Sequence, residues 1–193
     1  MQIILASSSP RRKELLKQLN VPFEIIVKDT IEKLNSNKNC YEQCMDIAKD
    51  KAQAVFDEIK EDVIVISSDT IVVCNGKIFG KPQNYDEAFQ MIKEISNQKH
   101  EVISSLCLLV RKNHQIFEES TYDKCDVYVD NLTNEEINDW IQNNDVYTRA
   151  GGYAIQDGFG KYVTKIEGDY FSIVGFPLHK TWKLLKKYLP DFK

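Results

Sequence analysis

Residues 2–12 read Gln2-Ile3-Ile4-Leu5-Ala6-Ser7-Ser8-Ser9-Pro10-Arg11-Arg12, and the change of character inside this stretch decides the fold. The run 2–6 is short, apolar and followed by turn formers, the pattern of a buried strand. Ser9-Pro10 then reads as N-cap and first helical position, opening a helix with Leu15, Leu16 and Leu19 on one face. A buried strand feeding straight into a capped helix is the elementary step of an α/β protein. The same helix start carries Arg11 and Arg12, cations that oppose the helix dipole unless an anion lies there. Serine hydroxyls and unpaired N–H groups suit a phosphate, and they suit a plain N-cap equally well. Both readings stay open on these residues alone.

Outward from this stretch the alternation continues. Residues 22–28 read as a second strand, and Tyr41 to Ile59 as an amphipathic helix with Met45, Ala48, Ala52, Val55 and Ile59 at steps of three and four. Residues 62–67 form a buried strand that ends at Ser68-Asp69-Thr70. Asn75-Gly76 marks a hairpin. A helix from Asp86 to Ile95 precedes strands over 101–111 and 115–130, which flank a turn at Lys112-Asn113-His114. Thr133 caps a helix bearing Ile137, Trp140 and Ile141. Residues 162–174 read as extended, and a last helix starts at Pro177. The expectation is α/β: a mixed, partly parallel central sheet flanked by helices, one domain over 1–193, with a cleft between two lobes.

Composition narrows the function. An apolar fraction of 42% and a charged fraction of 28% over 193 residues belong to an ordinary globular chain. A net charge of −4 gives no bulk attraction to nucleic acid or anionic membrane, so neither is expected as a partner. No run approaches the roughly 18 apolar residues of a membrane span. The five cysteines, Cys40, Cys44, Cys74, Cys107 and Cys125, form no CxxC, which argues against zinc and disulfides and for a reducing cytoplasm. His100, His114 and His179 are scattered and suggest no nucleophilic triad.

Four places gather polar residues where α/β folds bind ligands. One is the opening stretch. A second is Ser67-Ser68-Asp69-Thr70, where a carboxylate after a strand could hold a metal or orient water, or simply form a turn. A third is Gly80-Lys81-Pro82, with Lys51 on its helix as another candidate phosphate cation; solvated lysine is the alternative for each. The fourth is Ala150-Gly151-Gly152-Tyr153-Ala154-Ile155-Gln156, followed by Gly158 and Gly160. Four of the eight glycines fall within ten residues there, so the backbone must bend sharply or approach something closely, unless the segment is a flexible connection. Gln156 has the donor and acceptor to read a nucleobase edge.

Taken in order, these stretches resemble the Maf family of nucleotide pyrophosphatases, nearly end to end. The likeness runs through LASSSPRRKELL, Glu32 after FEIIVKDTI, AKDKAQA around Lys51, SDTIVV at Asp69, and GKP at Lys81. It continues through His100-Glu101-Val102, AGGYAIQ at Gln156 and IEGDYFSIVGFPL. The resemblance implies an inosine-triphosphatase-like fold and hydrolysis of a nucleoside triphosphate to the monophosphate and pyrophosphate, with Mg²⁺, Mn²⁺ or Co²⁺ as cofactor. It implies Asp69 as the proton acceptor and Glu32 with Asp69 as metal ligands. Ser7, Arg12, Lys51 and Lys81 would bind the triphosphate. Arg11, Thr70 and Gln156 match the dTTP/UTP branch at its specificity positions, and the family implies a homodimer and the clearing of modified nucleotides.

The chain departs from the family at Ser67-Ser68, where Gly-Ala is usual, and at Ser104-Ser105, where a threonine and a small residue are common. It departs again at Thr148-Arg149, which replaces Asp-Lys, with Asp145 near enough to stand in for the lost acid. Two rival readings are a nucleotide-responsive regulator of septum formation and a nucleotidyltransferase. The second class favours a glycine-rich loop, whereas no glycine precedes Gly76 here.

Overall fold

The computed structural model describes residues 1–30, 37–190 and 192. Strand β1 (Gln2–Leu5) buries three successive apolar side chains and pairs in parallel with two neighbours, the short β2 (Glu24–Ile25) and the long β3 (Val63–Cys74). Parallel neighbours need crossovers, and helices α1 (Pro10–Lys17) and α2 (Cys40–Phe56) lie in those connections. β3 turns through Asn75-Gly76, both at positive φ (50° and 76°), into antiparallel β4 (Lys77–Phe79). Helix α3 (Tyr85–Ile95) precedes β5 (Lys99–Lys112), and Asn113-His114 leads into β6 (Gln115–Val129). Helix α4 (Asn134–Asn143), strand β7 (Val163–Glu167), α5 (Tyr170–Val174) and α6 (Leu178–Tyr188) follow. Among the described residues seven strands hydrogen-bond in the order β2-β1-β3-β5-β6-β7, with β4 on β3, giving the mixed and partly parallel sheet that the sequence predicts.

The chain divides into two compact units, to both of which β3, β5 and β6 contribute. The first comprises Met1–Asp69, Ser104–Asp123 and Gly175–Lys193. Its core packs Ala48, Ala52, Val55 and Phe56 of α2 against Ile4, Val63, Val65, Cys107 and Leu109 of the strands. The alanines matter: with only a methyl group between them, the helix backbone can approach the strands closely. The second unit comprises Thr70–Ile103 and Lys124–Val174. Its core gathers Val72, Phe79, Ile92, Ile95, Val127, Trp140 and Phe159.

Three expectations change. β3 does not stop before Ser68-Asp69-Thr70 but runs on to Cys74, because Ser67 and Ser68 are buried inside it with their hydroxyls satisfied by neighbouring carbonyls. The strand expected over 22–28 pairs only at Glu24 and Ile25; it is a sheet edge, with Ile25 and Val27 exposed. Residues 162–174 are not extended throughout. Gly168 (φ 131°) ends β7, and the Asp169 carboxylate accepts from Phe171 N (3.3 Å) and Ser172 N (3.2 Å), starting α5.

His100 is a core histidine, 1% exposed, with its Nε2 2.6 Å from the Tyr153 hydroxyl and, among the described residues, no partner for its Nδ1. Burial pulls its pKa from 6.5 down to about 4, against a smaller upward pull from Asp126. The ring is therefore neutral in the folded protein, while the unfolded chain takes up a proton as pH falls below 6.5. Stability present above pH 6.5 should be lost between there and pH 4, by about 3 kcal/mol from this group. Comparing urea unfolding of wild type and His100→Gln at pH 7 and pH 4 isolates it: the variant is expected to show the shallower loss.

Candidate active site

Asp69 lies in β3, 9% exposed, with Lys51 of α2 donating from Nζ to its Oδ1 at 2.7 Å. Both side chains are largely withdrawn from water, so this contact is no ordinary surface pair. Directly before it in the strand, the Ser68 hydroxyl donates to Ser105 O at 2.6 Å and lies 3.1 Å from Gly175 O. Gly175 O also receives Arg12 Nε at 3.0 Å. That residue sits at φ 114°, a backbone geometry open to glycine, and this aims its carbonyl at the arginine.

Arg12 is held from a second side, its Nη1 donating to Ser7 Oγ at 3.3 Å. The cap of α1 is the predicted one, with Ser9 accepting from Arg12 N and Pro10 opening the helix. Ser7 Oγ takes a further bond from Ser9 N at 3.3 Å. Ser7, Arg12, Lys51 and Asp69 thus belong to one constellation within the first unit, stitched together by Gly175, Ser68 and Ser105. Arg11 is half-buried in the first turn of α1. Glu32 lies outside the described residues.

Thr70, Lys81 and Gln156 belong to the second unit. Thr70 is half-buried and follows Asp69 in β3; Lys81 and Gln156 are exposed. The glycine-rich segment is not a flexible connection. It forms three short 3₁₀ turns over 150–152, 155–157 and 159–162. Trp140 Nε1 donates to Gly152 O at 3.1 Å, and Gly151 N donates to Gly80 O at 2.9 Å, which joins the Lys81 and Gln156 segments. A Cβ on Gly151 would press on Val72 at 3.1–3.2 Å, so the backbone makes the close approach that its glycines imply. Arg149 pairs with Asp157 (2.6 Å) and Thr148 donates to Asp145 (2.7 Å); both act inside this loop.

Sequence reasoning missed Gly175 as a partner of Arg12, since a backbone carbonyl leaves no mark on side-chain chemistry. It also left Ser105 as a bare departure. Cys44, buried beside Asp69, has its thiol pushed up to about 12 by burial and then by the Asp69 charge, so it stays protonated and is no nucleophile. Among the described residues no three His, Cys, Asp or Glu side chains group to hold a metal by themselves. Asp69 fits a different arrangement. A hard divalent cation that keeps several waters can take one or two carboxylates and fill its shell with phosphate oxygens.

Fold and site together define an α/β protein whose first unit carries an arginine–serine contact and a buried carboxylate–lysine pair. The Maf-like protein family model matches residues 2–188, and this chain belongs to that family. It is 43% identical over 188 residues to a dTTP/UTP pyrophosphatase of Caldanaerobacter subterraneus subsp. tengcongensis, covering 97% of this chain and 89% of that one. It is 44% identical over 187 residues to a dTTP/UTP pyrophosphatase of Clostridium novyi, covering 95% and 96%. Among solved structures, a nucleoside-triphosphatase / dITP/XTP pyrophosphatase from Mycobacterium abscessus aligns over 100% of both chains at 12% identity and a TM-score of 0.45, too distant to bear on activity.

Proposed function

We propose that this chain is a nucleoside triphosphate pyrophosphatase that hydrolyses dTTP and UTP to the monophosphate and pyrophosphate. The observation that carries the reading is the Lys51–Asp69 pair set beside the Arg12–Ser7 cradle. Relatives at 43% and 44% identity that are named for this activity support it. Asp69 takes a proton from water, and the water oxygen attacks the α-phosphorus. The α–β bridging bond breaks, and pyrophosphate leaves with the electron pair. Arg12 and Lys51 meet the charge that builds on the phosphate oxygens. Ser7 Oγ accepts from Ser9 N–H and Arg12 Nη1–H, which leaves its own O–H to donate to phosphate. Lys81 adds a further phosphate contact. A divalent cation (Mg²⁺, Mn²⁺ or Co²⁺) held by Asp69 and Glu32 supplies charge neutralisation at the phosphate oxygens when bound.

Arg11, Thr70 and Gln156 set base choice in this reading. The Gln156 amide pairs with the N3–H and a carbonyl of a pyrimidine. Arg12→Ala should weaken every nucleotide alike, lowering kcat/KM roughly 10- to 100-fold for the loss of a charge-assisted contact. Arg11→Ala should instead alter the ranking of substrates. A pyrophosphate-release assay over canonical and modified nucleotides, with no acceptor present, measures both. Uniform loss in both variants would overturn the division of roles. A regulator that binds without turnover would release no pyrophosphate, and a nucleotidyltransferase would need the acceptor.

A further inference from the structure

Lys51 and Asp69 stand on different elements, and their 2.7 Å contact requires α2 and β3 to keep a fixed separation and register. Apolar packing alone leaves helix and sheet some freedom to slide. Here two buried serine hydroxyls bridge them. Ser105, in β5 and fully buried, donates from Oγ to Cys44 O of α2 at 2.7 Å. The same Oγ accepts from Asp69 N at 3.3 Å and from Cys44 Sγ at 3.3 Å. Ser67, in β3 two residues before Asp69, donates to Ala48 O of α2.

The spacing on the helix is the point. Cys44, Ala48 and Lys51 stand at i, i+4 and i+7, one stripe along the face of α2 that meets the sheet. Two carbonyls of that stripe are tied to the strands by serine, and the third position carries the lysine. Carbonyl oxygens have two lone pairs, so Cys44 O and Ala48 O accept these bonds without giving up their helical ones. Ala48 and Ala52 are fully buried, and their small side chains let the helix backbone come within reach. Ser105 therefore touches the backbone of Asp69 and the helix of Lys51 at once.

We propose that Ser105 and Ser67 are positioning residues that lock α2 to β3 and so hold Lys51 Nζ at Asp69 Oδ1 in the geometry that turnover requires. The inference rests on the reading of Asp69 and Lys51 as catalytic machinery. Neither serine touches substrate in this account; they act through the lysine and the carboxylate, where a displacement of about 1 Å can cost 10²-fold in rate.

The test is steady-state pyrophosphate release from dTTP and UTP by Ser105→Ala, Ser67→Ala, the double variant and Ser105→Thr, each checked for folding by thermal melting. Ser105→Ala is expected to lower kcat about tenfold with KM within about twofold, equally for both nucleotides. Ser105→Thr, which keeps the hydroxyl, should restore most of that loss, and the double variant should fall further than either single one. In a Lys51→Ala background, Ser105→Ala should have no further effect on kcat, because the contact it protects is gone. If Ser105→Ala and Ser67→Ala both melt as folded proteins with wild-type kcat, the proposal is wrong while the catalytic reading survives. If Ser105→Ala does not fold, Ser67→Ala decides by the same criterion. Unchanged turnover in Lys51→Ala would instead overturn the reading beneath it.

Discussion

Asp69→Asn is expected to lower kcat for dTTP and UTP by about 10²–10⁴-fold, the range for removal of a general base. The change keeps size and shape but removes the oxygen charge that accepts the proton of the attacking water. It also dissolves the ion pair to Lys51, since an amide offers that ammonium no countercharge. The backbone bond from residue 69 to Ser105 is untouched, so the variant should fold. Circular dichroism and melting temperature near wild type, together with lost pyrophosphate release, is the expected combination. An Asn variant that retains full turnover would remove Asp69 from the reaction.

Gly168→Ala should destabilise the protein by about 4 kcal/mol. Two costs add here. The residue sits at φ 131°, where a side chain introduces strain of about 1–3 kcal/mol. Its new Cβ would also lie 2.7 Å from Cys125 Sγ and 3.0 Å from the Cys125 Cα, in a buried part of β6, and such overpacking costs about 1–3 kcal/mol. The backbone atom cannot step aside without disturbing the β6–β7 ladder at Asp126 and Glu167. Denaturant titration of the variant measures the loss. Cys125→Ala should recover part of it by clearing the sulfur, and a Gly168→Ala midpoint equal to wild type would contradict the close approach.

Local chemistry made some elements readable and hid others. Asn75-Gly76 announces its hairpin because both residues tolerate positive φ, and Thr133 with Glu136 forms a reciprocal capping box three residues apart. Asp169 is the counterexample. It caps α5 by the same chemistry, yet the β-branched and aromatic residues around it suggest an extended run. The course of β3 was hidden for a different reason. Ser68-Asp69-Thr70 reads as a loop because buried polar residues are rare in strands, and the carbonyls that satisfy Ser67 and Ser68, those of Ala48, Ser105 and Gly175, are distant in sequence. The sequence singled out Ser7, Arg12, Lys51 and Asp69, which the first unit connects through one set of contacts. Their frame was not legible, since the Gly175 and Cys44 carbonyls carry no residue type that a sequence could display.

One bond has a bearing on how the protein comes into being. Arg12 and the Gly175 carbonyl that orients it are 163 positions apart. The first unit likewise draws on three separated segments, the last beginning at Gly175. A nascent chain can therefore form its second unit from residues already synthesised while the first still lacks its closing segment. Contacts this remote fold late, after the entropy of closing a long loop has been met. The cradle that opens the sequence is thus among the last parts to become competent, and a chain interrupted before Gly175 would carry every arginine and carboxylate of the site without the carbonyl that sets Arg12.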